Sequence, residues 1–298
     1  MASDLLQQLI AQKRAAPYRP DQSLEFLRRT SANDGRVPRA DTTIEETIIK
    51  GVPVEWVSCG SPTQASILVY LHGGGYYRSS AIASRRMASD LSHHCGCRVL
   101  TVDYRLAPEH PFPAGLDDTH AVYRGLLEQG FTSDQIVISG CSAGGGLTAA
   151  LLAKLNQTDE PHPAAAVLLS PWTDLNQTAD SYQTNSASDP VISKAYLDRA
   201  AAWYLADTSP DDPLASPFFS DLSGLPPLLI QAGRPEVMFG DAVAYAEKAQ
   251  TAGLAVKFEA YDDVVHGWQD SARVIPDIPE ALAAWQSIGA FFRDHTST

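Results

Sequence analysis

The sequence predicts an α/β protein, a mostly parallel central sheet flanked by helices and carrying a helical cap. Three observations carry that expectation. Short apolar runs alternate with stretches of helical periodicity from about residue 42 to the end. Ile136-Val137-Ile138 leads directly into Gly140-Cys141-Ser142-Ala143-Gly144, after which Leu147, Leu151 and Leu155 recur at helical spacing. His72-Gly73-Gly74-Gly75 follows at once on the apolar run from Ile67 to Leu71. Strand, sharp turn and helix is the context in which G-x-S-x-G lifts a serine hydroxyl above a sheet. Gly140 and Gly144 keep side chains away from the neighbouring strand and helix. The helix that starts beneath Ser142 offers N–H groups and a dipole to developing negative charge.

Composition bounds the rest. The 298 residues, 44% hydrophobic and 19% charged, suit one large α/β domain with an appended cap. Lys+Arg 22 against Asp+Glu 35 leaves −13, which speaks against nucleic acid or an anionic membrane as partner. No run approaches the ~18 apolar residues of a spanning helix. The first residues have neither a basic stretch nor an apolar core of a leader, so a cytoplasmic location is expected. Cys59, Cys95, Cys97 and Cys141 have no zinc-ligand spacing, and all are expected as free thiols in a reducing compartment.

In chain order, Leu5, Leu6, Leu9 and Ile10 share a helical face with Ser3 or Asp4 as N-cap, and Pro17 and Pro20 end that helix. A second short helix holds Leu24, Phe26 and Leu27. Residues 43–49 and 54–57 read as an antiparallel pair joined across Gly51-Val52-Pro53. Then come strand 67–71, helix 82–91, strand 99–102, helix 116–127 and strand 136–138. Further strands follow at 167–169, 228–230 and 256–261. Residues 171–225 interrupt the alternation: they are rich in Asp, Ser and Pro and hold one clear helix, 195–205, with Tyr196, Trp203 and Tyr204. An insertion of that size is usually functional. Residues 1–40 are thus read as the N-terminal part of the cap, residues 41–298 as the catalytic domain, and 171–225 within it as the cap's second part. The final helix takes Asp277 as N-cap, Pro279 in its first turn, Glu280 in a capping box, and Ile278, Leu282, Trp285, Ile288 and Phe291 as its buried stripe.

Acyl transfer by a serine needs a nucleophile, a base, a group that orients the base, and donors for the oxyanion. Ser142 is the nucleophile candidate. Gly73 and Gly74 supply backbone N–H groups unobstructed by side chains, with the Ala143 N–H as third donor. His72 is read as structural. His266 lies past the last strand, where the base belongs, whereas His93, His94, His110, His120, His162 and His295 fall at helix ends, between prolines, mid-helix or in the tail. The acid should follow strand 228–230; Glu236 is assigned, with Asp241, Asp262 and Asp263 as rivals.

Taken together, His72-Gly-Gly-Gly-Tyr76, the run from Asp103 to Ala114, Gly140-Cys-Ser-Ala-Gly-Gly145 and His266-Gly267 resemble the hormone-sensitive-lipase family of esterases, bacterial family IV, from about residue 40 onward. The resemblance implies an α/β-hydrolase core, a helical cap, a Ser-Asp/Glu-His triad, no cofactor and no metal, and cleavage of short-chain carboxylic esters. It implies that the stretch from Tyr104 to Ala114 is a rigid connection into the next helix. One departure stands out: Cys141 precedes the nucleophile where the family commonly has Asp. The substrate is expected to be a small ester, lactones included, with no stable membrane association and a homodimer left open. The rival readings are an amidase or peptidase on the same fold, and a receptor derived from it; the presence of His266 argues against the receptor.

Overall fold

The computed structural model describes residues 2–19, 21–32, 37–273 and 278–296. Helices α1 (Asp4–Ala15) and α2 (Leu24–Ala32) precede the hairpin β1 (Thr42–Ile49) and β2 (Val52–Cys59). There follow β3 (Ile67–Leu71), α3 (Arg85–Cys95), β4 (Arg98–Val102), α4 (Ala114–Glu128), β5 (Ile136–Cys141), α5 (Ala143–Gln157) and β6 (Ala165–Leu169). After the insertion with α6 (Ser181–Thr184) and α7 (Lys194–Leu205) come β7 (Leu228–Gly233), α8 (Phe239–Thr251), β8 (Val256–Tyr261) and α9 (Pro279–His295).

Among the described residues eight strands form one sheet in the order β1-β2-β4-β3-β5-β6-β7-β8, in which β2 runs opposite to the other seven. The central strands are buried on both faces, as their unbroken apolar runs require. Alternation of side chains sorts them: Ile67, Val69 and Leu71 join α4 and α5 on one face, while Leu68 and Tyr70 join α1, α3 and α9 on the other. α8 packs beside α5 over β6 and β7.

Several boundaries differ from expectation for local reasons. The hairpin turns at Lys50-Gly51, both with positive φ (52° and 84°), so Val52 and Pro53 already pair with Ile49 and Ile48. The helix expected at 82–91 opens as a 3₁₀ turn at Ile82–Ser84 and runs on to Cys95, where left-handed Gly96 closes it by donating to Ser92 O. Ser3 caps α1 as expected, accepting from Leu6 N at 3.3 Å. The Glu280 carboxylate accepts from Ser3 N at 2.7 Å and Ser3 Oγ at 2.9 Å, and so ties α1 to α9. Asp277 lies outside the described residues. Leu282, expected inside, is 47% exposed. All four cysteines are free and buried. Among the described residues no helix is long and apolar enough to cross a membrane.

Candidate active site

Ser142 sits between β5 and α5 with φ 58° and ψ −120°, a strained backbone conformation for a residue with a side chain. The surroundings hold it there. Ser142 N donates to Leu169 O at 2.8 Å, and Ser142 O accepts from Gly146 N at 3.0 Å and Trp172 N at 3.2 Å. The flanking glycines are required by contact. A Cβ on Gly140 would stand 2.0 Å from Gly144 O, and one on Gly144 would stand 2.1 Å from Leu71 O. β5, α5 and β3 therefore meet at a closeness only glycine allows.

The glycine loop leaves the end of β3 beside this turn. A Cβ on Gly73 would lie 2.9 Å from Cys141 O and 3.3 Å from Ser142 Cβ, which measures how near the loop backbone comes to the serine. His72 is buried behind the loop. Its Nδ1 contacts Gly73 O at 2.8 Å, its ring stacks on Tyr104 at 4.2 Å, and Tyr104 Oη donates to its carbonyl at 2.6 Å. Ala107 N donates to Tyr76 O at 2.9 Å, so the stretch from Tyr104 to Ala114 braces the loop from outside on its way into α4.

His266 lies on the segment after β8 and is buried; its Nδ1 is 2.7 Å from Glu236 Oε2. Glu236, 1% exposed, follows β7, and its other oxygen accepts from Gly233 N at 2.6 Å and Ser170 Oγ at 2.8 Å. Burial pulls the His266 imidazole down, but the hydrogen bond and charge of Glu236, aided by the charge of Asp189, outweigh it and leave the ring above its ordinary value. The rival carboxylates are occupied elsewhere. Asp241, in the first turn of α8, accepts from Thr173 N, Asp174 N and Tyr182 Oη. Asp262 is exposed and pairs with Arg234 at 2.9 Å. Asp263 is a turn residue with φ 59°.

Ser142, His266, Gly73 and Gly74 line one cavity of about 200 Å³, together with Cys141. Burial pushes the Cys141 thiol far up, and it packs with Tyr70 and Val265 as an apolar neighbour of the turn. Residues that the sequence did not single out also belong here. Ser170 steadies Glu236. Asp189 accepts from Val237 N at 3.0 Å and from Val191 N and Ile192 N, joining the insertion to the segment that bears Glu236. The position of Ser170 directly after β6 was a usable signal, since ligands gather at the carboxyl ends of parallel strands. Asp189 had none. Of the cap's aromatic residues Tyr18, Phe26, Trp172, Tyr182, Tyr196, Trp203 and Tyr204, Tyr196 alone lines the cavity. Trp172, Tyr182 and Tyr204 are buried in the core beneath, and Phe26 is exposed.

Residues 68–270 match the model of a family described as having the alpha/beta hydrolase fold. An acetyl-hydrolase of Streptomyces hygroscopicus is 43% identical over 242 residues, covering 81% of this chain and 80% of its own length. An esterase of Acinetobacter venetianus is 37% identical over 218 residues, 73% of this chain and 72% of its own. The crystal structure of an esterase from the bacterial hormone-sensitive lipase family superposes with a TM-score of 0.94 at 41% identity, over 100% of both chains.

Proposed function

This chain belongs to the α/β-hydrolase-fold family, among the carboxylic ester hydrolases related to hormone-sensitive lipase, and on that premise we propose that it is a serine esterase whose nucleophile is Ser142. The observation that carries the proposal is the 2.7 Å contact between His266 Nδ1 and Glu236 Oε2, in a cavity His266 shares with a serine held at a strained strand-to-helix turn.

The residues divide the chemistry as follows. Glu236 accepts the Nδ1–H of His266, so Nε2 carries the lone pair. Ser142 Oγ attacks the ester carbonyl carbon and its proton passes to Nε2. Negative charge collects on the carbonyl oxygen, which the N–H groups of Gly73, Gly74 and Ala143 receive; each such donor is worth on the order of 10²–10³ in turnover. Collapse of the tetrahedral species breaks the ester C–O bond, and the departing alkoxide takes the proton from His266. Water, deprotonated by the same Nε2, then attacks the acyl-enzyme and releases the acid and free Ser142.

Two segments act as the cap. Leu9 and Lys13 of α1, Thr30 and Ser31 of α2, and Tyr196 of α7 line the cavity that holds Ser142. A space of about 200 Å³ suits small esters, with acyl chains of roughly two to eight carbons, and small lactones are open to the same attack. Four free, buried thiols suit a reducing, cytoplasmic setting.

Ser142→Ala should abolish turnover of p-nitrophenyl butyrate while leaving the folded circular-dichroism spectrum intact. An organophosphate should add once to the unaltered protein, at Ser142 by peptide mass mapping, and not to the variant. Full activity in Ser142→Ala would sink the reading.

A further inference from the structure

The cavity that holds Ser142 and His266 also holds an arginine to which no carboxylate among the described residues is bonded. Arg78 lines it and is partly buried. Among the described residues no carboxylate lies within ion-pair distance of its guanidinium. The other arginines nearby differ. Arg85 is bonded to Glu55 at 2.7 Å and Glu46 at 2.8 Å, Arg86 to Asp90 at 2.8 Å, and Arg28 to Glu109 at 2.6 Å. In a chain with Asp+Glu 35 against Lys+Arg 22, carboxylates are plentiful, so an arginine left without one inside the catalytic cavity is the exception.

What surrounds Arg78 keeps it charged and in place. Its Cζ lies over the rings of Tyr196, at 5.1 Å from the centroid, and Tyr77, at 5.7 Å. A guanidinium keeps its charge at any working pH, and Arg78 stays above its ordinary value despite its burial. The main chain at Arg78 is anchored to the glycine loop, because Arg78 N donates to Gly74 O at 3.2 Å. A guanidinium carries five N–H donors in a planar fork that matches a carboxylate.

We propose that Arg78 is a specificity residue that selects esters carrying a carboxylate, binding the anionic end of the substrate while the ester carbonyl lies at Ser142. The proposal rests on the esterase reading above. The carboxylate belongs to the acyl chain or to the alcohol, and the two can be told apart by substrate choice.

The test compares kcat/KM for charged esters and neutral partners of similar length. The acyl-side pair is p-nitrophenyl hemiglutarate against p-nitrophenyl valerate; the alcohol-side pair is 3-acetoxypropionate against propyl acetate. The charged-to-neutral ratio of at least one pair should fall by about 10- to 100-fold in Arg78→Leu, chiefly through KM, and be partly restored in Arg78→Lys. A measurement on the unaltered enzyme guards against misfolding of the variants: glutarate should compete with p-nitrophenyl butyrate at least tenfold more tightly than neutral glutaramide. Ratios unmoved in Arg78→Leu, or equal inhibition by glutarate and glutaramide, would overturn the proposal and leave Arg78 as a support for Tyr196. No turnover of any ester by the unaltered enzyme would instead overturn the esterase reading itself.

Discussion

Glu236 spends one oxygen on His266 and the other on Gly233 N and Ser170 Oγ, so its carboxylate plane cannot turn without breaking a buried hydrogen bond. That fixes both the tautomer and the direction of the imidazole. Glu236→Gln should lower kcat by about 10³–10⁴ with little change in KM, whereas Asp241→Asn should do far less, because Asp241 does not line the cavity. Ser170→Ala removes one of two anchors and should cost about tenfold in kcat. The pH profile follows from the charge around the ring. His266 works as a base only when neutral, and its raised value places the acidic limb of kcat/KM above the ordinary 6.5. With Glu236→Gln the largest upward influences vanish and burial remains. The limb of the residual activity should therefore move to lower pH; a limb that stays put would mean that another group sets it.

At the scale of elements, the turn at Ser142 depends on how close three backbones come. Gly144→Ala would drive a methyl to 2.1 Å from Leu71 O and 2.6 Å from His72 O, and neither is a flexible side-chain end. α5 would have to part from β3, the strand that leads into the glycine loop. The variant should melt roughly 5 °C or more below the unaltered protein, or fail to accumulate folded. The second N-terminal helix is fastened through one arginine. Arg28 on α2 donates to Tyr77 O at 2.8 Å and Ala107 O at 2.9 Å, and it pairs with Glu109. Arg28→Ala should speed amide exchange across residues 24–32 while leaving exchange in β3 and β5 slow, as mass spectrometry would read directly.

For the molecule as a whole, Asp241 links domain stability to pH. It joins α8 to the start of the insertion through Thr173 N, Asp174 N and Tyr182 Oη, and burial raises its carboxyl from 3.8 to about 8 despite those donors. A folded value above the unfolded one means that the folded state holds the extra proton between them. The contribution is therefore fully present below 3.8, shrinks as pH rises, and is lost above about 8. Asp241→Asn keeps the neutral shape without the titration. Melting temperatures recorded from pH 5 to pH 9 should decline less in that variant than in the unaltered protein; parallel curves would show that Asp241 is ionised throughout.

Much of this was legible in residue order because the relevant physics is local. Unbroken apolar runs such as Ile67 to Leu71 mark strands buried on both faces, and β5 and β7 stand where theirs predict. The strand–G-x-S-x-G–helix pattern implies the strained turn at Ser142, since only glycine fits at Gly140 and Gly144. Other features were settled only by packing between distant segments. Nothing near Glu280 says that its carboxylate reaches Ser3, 277 positions away. Of the four candidate carboxylates, Glu236, Asp241, Asp262 and Asp263, the fold brings Glu236 to His266, because β7 and β8 are neighbours whose following loops converge. Trp172, Tyr182 and Tyr204 of residues 171–225 fill the core, whereas Tyr196 reaches the cavity that Arg78 also lines. Composition and periodicity say which residues leave water. Which cavity wall a buried ring or an arginine ends up on depends on contacts made across the whole chain.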